Sequence, residues 1–195
     1  MDYKQKLQET ILPDLEKGRK DWDGPHTLAV VNYIKQIIDH NPQLNLDRDV
    51  LLVAAYAHDW GYSKVGITGQ VIDRRGVGAV KKAHMEIGAD LLTDLLRDPV
   101  FAFLTDAQKQ RAIHLVAVHD TLDKIHDTDE HVLVEADTLG ALDFTKVTPT
   151  YNKEDSARYL ESTEKKRWPL FITNYGKKKY RELYAKYQEY YRARS

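Results

Sequence analysis

Apolar residues recur at intervals of three and four along most of the chain, which is the spacing of one face of an α-helix. In the segment DGPHTLAVVNYIKQIIDH, a stripe that includes Val30, Ile34 and Ile37 follows Pro25. Proline is favoured in the first turn of a helix, because the amides there have no partner within the helix. The pattern therefore predicts a helix over this segment.

Four more segments show the same period, and they read DRDVLLVAAYAHDWG, GAVKKAHMEIGADLLTDLLRD, TDAQKQRAIHLVAVHDTL and DEHVLVEADTLGAL. The β-branched residues of the last segment would also suit a strand, but Glu135, Ala136 and Leu139 favour a helix. From Tyr151 onward, one or two further helices rich in Tyr, Lys and Glu are predicted. We find no convincing alternation with a period of two, so the predicted fold class is an all-α bundle.

One segment, residues 63–78, departs from this pattern. It reads SKVGITGQVIDRRGVG, with four glycines, two arginines and no helical stripe. We predict a loop here, and a loop of this length is usually either disordered or functional.

Length and composition narrow the possibilities. A chain of 195 residues is expected to form a single domain over residues 1–195, with enough length for a sizeable core. The formal net charge of -1 gives no overall attraction to nucleic acid or acidic lipid. No apolar run is long enough to cross a bilayer and the N-terminus has no apolar signal core, so we expect a cytoplasmic protein with no membrane association. Because cysteine is absent, any metal ion must be held by His, Asp or Glu.

Six residues with metal-binding side chains fall on the apolar faces of the predicted helices. They are His26, His58, Asp59, His84, His119 and Asp137. A single inward histidine is more often a hydrogen-bonded core residue than a ligand. Two inward carboxylates, however, both need neutralising, and four histidines are placed at the same depth. A divalent cation would serve all of them, so the combination favours a metal centre.

The order H, HD, H, H, D resembles the HD superfamily of metal-dependent phosphohydrolases. GPHTLAVVNYI is similar to the first helix of that family, AAYAHDWGYSK to its LLHDIGK segment, and EADTLGALD to its ADRLGAIG ending. The resemblance covers about residues 20–145. It implies an HD-domain helical bundle as the core, with a C-terminal helical extension over about residues 151–195.

The resemblance also implies a set of metal ligands. His26, His58, Asp59 and Asp137 fall on the four defining positions, and this donor set suits Mn, Fe, Co, Ni or Mg. His84 and His119 match helices of the relatives that bind two metals, in which case Asp59 would bridge the ions. In relatives with one metal such histidines contact phosphate or donate a proton. The resemblance therefore leaves open whether one or two ions bind per chain. The catalytic candidates are Asp59, His84 and His119.

Three basic residues are candidates for substrate binding. Lys64 lies farther beyond the HD pair than the lysine of the family pattern, and Arg74 and Arg75 lie in the glycine-rich segment. A guanidinium fork suits phosphate. The alternative is that these are solvated loop residues.

The expected function is hydrolysis of a phosphate ester or anhydride in a nucleotide or related small molecule. Two alternatives stay open, a di-iron oxygenase of the same superfamily and a non-catalytic module that binds metal or nucleotide. The basic, tyrosine-rich C-terminal segment is expected to pack on the bundle or on a second subunit in a homodimer. We do not expect it to bind nucleic acid, because acidic residues are mixed in and no motif is present.

Overall fold

The computed structural model of the chain describes residues 2–19, 21–65, 74–149 and 151–192, and for residues 74–79 it describes the backbone alone. Within these ranges all regular structure is helical, which confirms the predicted all-α class. The α-helices are α1 (Tyr3–Leu15), α2 (Asp23–His40), α3 (Arg48–Ala57), α4 (Arg74–Leu95), α5 (Asp106–Val118), α6 (Thr128–Leu142), α7 (Lys153–Lys166) and α8 (Asn174–Arg192). Short 3₁₀ helices cover Pro42–Leu44, Trp60–Lys64, Pro99–Phe101, Leu122–Lys124 and Trp168–Leu170.

Helix α3 lies at the centre of the bundle. It packs against α2, α5 and α6, and every residue from Val50 to Ala57 is buried. This is why its sequence is apolar on all sides instead of along one stripe. Asp47 caps its first turn by accepting hydrogen bonds from the amides of Asp49 and Val50. The helix therefore ends inside the core, where His58 and Asp59 follow at once.

The remaining helices surround α3 and carry the other candidate ligands. Helix α2 packs along α6 and α3, and α4 packs against α5 and the 3₁₀ helix Trp60–Lys64. Helix α1 was not singled out by the sequence pattern, although its buried residues Leu7, Ile11 and Leu15 are spaced four apart.

The prediction of a loop over residues 63–78 is wrong at both ends of the segment. Ser63 and Lys64 belong to a 3₁₀ helix, and α4 begins at Arg74 despite Gly76 and Gly78. Glycine lowers helix propensity by only about 1 kcal/mol per residue, which the packing of a long helix can outweigh. Residues 66–73 lie outside the described residues.

The C-terminal extension, described over residues 151–192, folds back on the bundle. Helix α8 packs on α6 and buries Tyr180, Leu183 and Tyr187. Glu135 of α6 accepts hydrogen bonds from the amides of Ile172 and Thr173, the two residues that precede this helix. Two tyrosines of the segment, Tyr180 and Tyr187, therefore pack within the bundle.

In the described part of the chain, none of the helices combines the length and the apolar character that crossing a lipid bilayer requires.

Candidate metal centre

The six candidate ligands reach the middle of the bundle from five elements. His26 lies in the first turn of α2, His58 and Asp59 follow α3, and His84 lies within α4. His119 ends α5, and Asp137 lies in the middle of α6. All six are buried, with at most 8 % of any of them exposed.

The first group consists of His26, His58 and Asp137. Nε2 of His26 lies 3.1 Å from Oδ1 of Asp137 and 3.2 Å from Nε2 of His58. Nε2 of His58 lies 4.0 Å from the same Asp137 oxygen. One ligand atom from each residue thus faces a common point, and the group could hold a metal ion.

The second group consists of Asp59, His84 and His119. Nε2 of His84 lies 3.4 Å from Nε2 of His119. Oδ1 of Asp59 lies 3.5 Å from the first nitrogen and 3.6 Å from the second. This group could also hold a metal ion.

Asp59 connects the two groups. Its Oδ1 atom faces His84 and His119, whereas its Oδ2 atom lies 3.7 Å from Nε2 of His26 and 3.6 Å from Nε2 of His58. A carboxylate placed in this way can give one oxygen to each group.

Backbone hydrogen bonds fix the orientation of two of the imidazoles. Nδ1 of His58 donates to the carbonyl of Ala55, and Nδ1 of His119 donates to the carbonyl of Val116, each over 2.8 Å. Because Nδ1 of each ring donates to a carbonyl, Nε2 is the atom that faces the centre, and in the neutral form of the ring it offers a lone pair there. Ligand histidines are usually oriented by this kind of outer contact.

His84 is oriented by stacking. Its ring lies parallel to that of Tyr62, with 4.0 Å between the centroids, and the guanidinium of Arg19 covers the other face of Tyr62 at 3.9 Å. Nδ1 of His84 is buried and has no hydrogen-bond partner among the described residues. Ring contacts therefore set the direction of its Nε2 atom.

The donor set fits a divalent cation. Lone pairs of neutral imidazoles and carboxylate oxygens converge within a few ångströms in a buried space, and such atoms repel unless a proton or a cation lies between them. Nitrogen and carboxylate donors without thiolate suit divalent ions such as Mg, Mn, Fe, Co and Ni. The chemistry of the residues thus agrees with a metal centre.

A close approach of two backbones brings the groups together. Gly61 lies against α4, and a Cβ atom at this position would overlap the carbonyl oxygen of His84 and lie 2.9 Å from the amide nitrogen of Gly88. Only glycine permits this distance. Gly61 therefore allows Asp59 to lie beside His84.

Two largely buried arginines, Arg19 and Arg167, each join a candidate ligand to a second carboxylate. Nη2 of Arg19 donates to Oδ2 of Asp59 over 2.6 Å, and Nε donates to Oδ1 of the buried Asp23 over 2.6 Å. This first Asp–Arg–Asp chain holds the Asp59 carboxylate from the side of the α1–α2 connection.

The second Asp–Arg–Asp chain of contacts is formed by an arginine of the C-terminal extension. Nη1 of Arg167 donates to Oδ2 of Asp137 over 2.6 Å, and Nη2 donates to Asp120. Asp120 also lies 3.2 Å from Nζ of Lys81. Each of these Asp–Arg–Asp chains of contacts therefore holds the carboxylate of a candidate ligand, Asp59 in the first and Asp137 in the second.

These charges shift the pKa values of the ligands. Burial alone would raise the pKa of Asp59 and of Asp137, but the positive groups around them outweigh it and hold both values well below the usual range. Burial lowers the pKa of His58, and it lowers that of His84 to about 4. For His119, burial is outweighed by Asp59 and Asp120, and the pKa is raised. At neutral pH the carboxylates are ionised, and His58 and His84 are neutral, as metal binding requires.

Of the three basic candidates, none is seen to join the centre. Lys64 is partly exposed, and its Nζ lies 3.5 Å from Oδ2 of Asp14 in α1. Arg74 and Arg75 form the start of α4, and their side chains lie outside the described part of the structure. The roles of Lys64, Arg74 and Arg75 in substrate binding stay predictions.

Sequence reasoning missed the two arginines and their outer partners, Asp23 and Asp120. One signal was present, because Asp120 follows His119 and so forms a second His–Asp pair in the sequence. Nothing in the local pattern of the segments around Arg19 and Arg167 indicates that these residues are buried beside the ligands.

A small cavity opens over the first group. It encloses about 100 Å³. Its lining includes His26, Asp59 and Asp137, both buried arginines, and the aromatic residues Trp22, Tyr62, Tyr151, Tyr159 and Tyr187. Within the described part of the structure, this cavity offers a small molecule a route to the candidate ligands.

Comparison with known proteins identifies the family. The family model described as HD domain matches residues 24–145, which include all six candidate ligands. No match was found among curated proteins or among solved structures. The match confirms the resemblance seen in the sequence, and the chain belongs to the HD domain family.

Proposed function

We propose that the protein is a metal-dependent phosphohydrolase that cleaves a phosphate ester or anhydride of a nucleotide or related small molecule. The observation that carries this proposal is the position of Asp59, whose two oxygens face two separate groups of ligands within one buried centre. Membership in the HD domain family supports the same reaction class.

The residues divide into two ligand sets. His26, His58 and Asp137 would hold one divalent cation, and His84 and His119 would hold a second, with Asp59 shared between them. When bound, such cations lower the pKa of water and offset the charge that develops on a phosphoryl group. If a single ion binds, His84 or His119 is instead free to contact phosphate or to move a proton.

The surrounding residues keep this arrangement in place. Arg19 holds Oδ2 of Asp59, and Tyr62 holds the ring of His84. The aromatic side chains around the cavity limit the access of bulk water to the centre. Mn, Fe, Co, Ni and Mg all suit this donor set.

A phosphate-release assay tests the proposal. Metal-stripped protein would be supplied with Mn, Co, Ni or Mg, and offered a panel of nucleoside monophosphates, dinucleoside polyphosphates, cyclic nucleotides and simple phosphate esters. We expect release that requires added metal, is lost in Asp59→Ala and is retained in Asp90→Ala, a control in which an exposed aspartate of α4 is removed.

The same preparation separates hydrolysis from the two alternatives. Metal-loaded protein that binds a nucleotide but releases no phosphate from any substrate would contradict a hydrolase and favour a binding module. Substrate-dependent consumption of oxygen by the iron-loaded form would favour an oxygenase.

A further inference from the structure

The C-terminal extension forms part of the wall of the cavity over the centre. Tyr159 of α7, Arg167 at the end of that helix and Tyr187 of α8 all line it. These residues lie beyond position 145, where the family match ends. One side of the cavity is therefore supplied by residues outside the matched domain.

Arg167 is the cationic residue of this wall. Only 15 % of its side chain is exposed, and one nitrogen, Nη1, donates to Oδ2 of Asp137 and, over 3.2 Å, to the hydroxyl of Thr138. Nη2 donates to Asp120. The guanidinium thus lies beside a candidate metal ligand while it faces the cavity.

The carboxylate of Asp137 can contact Arg167 and act as a metal ligand at the same time. Its Oδ2 atom accepts from Arg167, whereas its Oδ1 atom faces His26. Arg167 therefore need not leave Asp137 for the carboxylate to act as a ligand. A phosphoryl group held next to the first ligand group would come within reach of the same guanidinium.

The size and chemistry of the cavity favour a phosphoryl group as its occupant. At about 100 Å³ it is smaller than the roughly 300–1,000 Å³ of pockets that enclose a drug-sized ligand. It can enclose the phosphoryl end of a substrate but not a nucleoside as well. The planar fork of an arginine, charged at every pH of interest, matches the oxygens of phosphate.

We propose that Arg167 is a substrate-binding residue that contacts the phosphoryl group, so that the C-terminal extension completes the active site. This proposal rests on the proposed phosphohydrolase function. The competing explanation is structural, in that Arg167 serves only to tie the extension to Asp120 and Asp137.

Binding of inorganic phosphate to the metal-loaded protein separates the two explanations. The variants are Arg167→Gln, which removes the charge, and Arg167→Lys, which keeps the charge but loses the fork. Arg181→Gln is the matched control, because this arginine also lies in the extension and pairs with a carboxylate, that of Glu164 over 2.7 Å. Calorimetry gives the phosphate affinity, and metal content and circular dichroism are measured on the same samples.

We expect Arg167→Gln to weaken phosphate binding by roughly tenfold or more, as the loss of a hydrogen bond to a charged group implies. Arg167→Lys should weaken it less, and Arg181→Gln should leave it unchanged. At saturating metal, the metal content should stay as in the wild type, although the loss of an outer contact to Asp137 lowers metal affinity. In the hydrolysis assay the loss should appear chiefly in KM, because the contact is present in the ground state.

Two results would overturn the proposal in different ways. If the wild type binds phosphate and both Arg167 variants, folded, bind it equally well, Arg167 has only a structural role and the phosphohydrolase proposal stands. If the metal-loaded wild type binds no phosphate, the phosphohydrolase proposal fails together with this one. If Arg167→Gln does not fold, Arg167→Lys tests the proposal alone. Unchanged phosphate affinity in that variant would refute a contact between Arg167 and the phosphoryl group.

Discussion

His26 and Asp137 are 111 positions apart in the chain, yet Nε2 of His26 lies 3.1 Å from Oδ1 of Asp137. The contact joins the first turn of α2 to the middle of α6, two helices that pack along each other. It is possible because Gly140, one turn after Asp137, lets α6 approach α2 closely: a Cβ atom there would lie 3.3 Å from the amide nitrogen of Val30. The packing of these helices thus positions the first ligand group.

Removal of the shared carboxylate should abolish both metal binding and turnover. In Asp59→Ala each ligand group loses its link to the other, so we expect metal affinity to fall by more than about a hundredfold, beyond the effect of losing an outer contact. The fold should persist, because Arg19 keeps its partner Asp23. Metal analysis and circular dichroism on the same sample check this, and full metal content with normal turnover would refute the role of Asp59.

The approach of Gly61 to α4 gives a second prediction. Gly61→Ala should cost roughly 1 to 3 kcal/mol or more in the free energy of unfolding, since backbone atoms on both sides must shift. It should also reduce metal content by displacing His84 from Asp59. Gly24→Ala is the control, because a Cβ atom there meets only the flexible end of Glu16, at 3.0 Å. Equal stability of the two variants in denaturant titrations would contradict the close approach.

Glu130 should make stability depend on pH in acid. Burial alone would raise the pKa of Glu130. The amides of His126 and Asp127 and the side chains of His114 and Arg111 outweigh this effect and lower the pKa from 4.5 to about 2. A carboxyl whose pKa is lowered on folding stabilises the protein above the unfolded value, and the contribution is lost as pH falls through the folded one.

The stabilisation by Glu130 should therefore be complete above about pH 5 and decline between pH 4.5 and 2. Glu130→Gln should cost roughly 1 to 2 kcal/mol at neutral pH, after allowance for screening by solvent. The difference from the wild type should shrink towards acid. A difference that stays constant from pH 7 to pH 3 in urea titrations would show that the charge of Glu130 has no such effect.

Glu135 should anchor the C-terminal extension. Its carboxylate accepts hydrogen bonds from the amides of Ile172 and Thr173 and from the Thr173 hydroxyl, just before the start of α8. Glu135→Ala leaves these donors without their partner, at a cost of about 2 to 3 kcal/mol. Hydrogen exchange should rise in α8 and remain unchanged in α3. Uniform protection in both helices of the variant would argue against a local anchor.

The fold class and the six inward residues could be predicted because they depend on local periodicity and on the order of motifs. Helix α3 shows this best, since its apolar run and the following His58–Asp59 pair mark the centre of the core in the sequence itself. The inward direction of His84 and Asp137 followed in the same way from helical spacing.

The buried arginines could not be predicted, because their positions result from tertiary packing. Arg167 lies in a segment rich in charged residues, where a solvated surface is the natural interpretation, and only the return of the extension buries it beside Asp137. The start of α4 at Arg74 was missed for a related reason, since the glycines of that segment lower local helix propensity and the packing of the helix overrides it.

We propose that the six residues form one centre for two ions, and the number of Mn²⁺ ions bound per chain tests this most directly. Metal-stripped wild type and His84→Ala would be titrated with Mn²⁺, and bound metal counted at saturation. We expect a plateau near two ions for the wild type and near one for His84→Ala, because the variant loses a ligand of the second group only. A wild-type plateau near one, with no change in the variant, would contradict a two-ion centre.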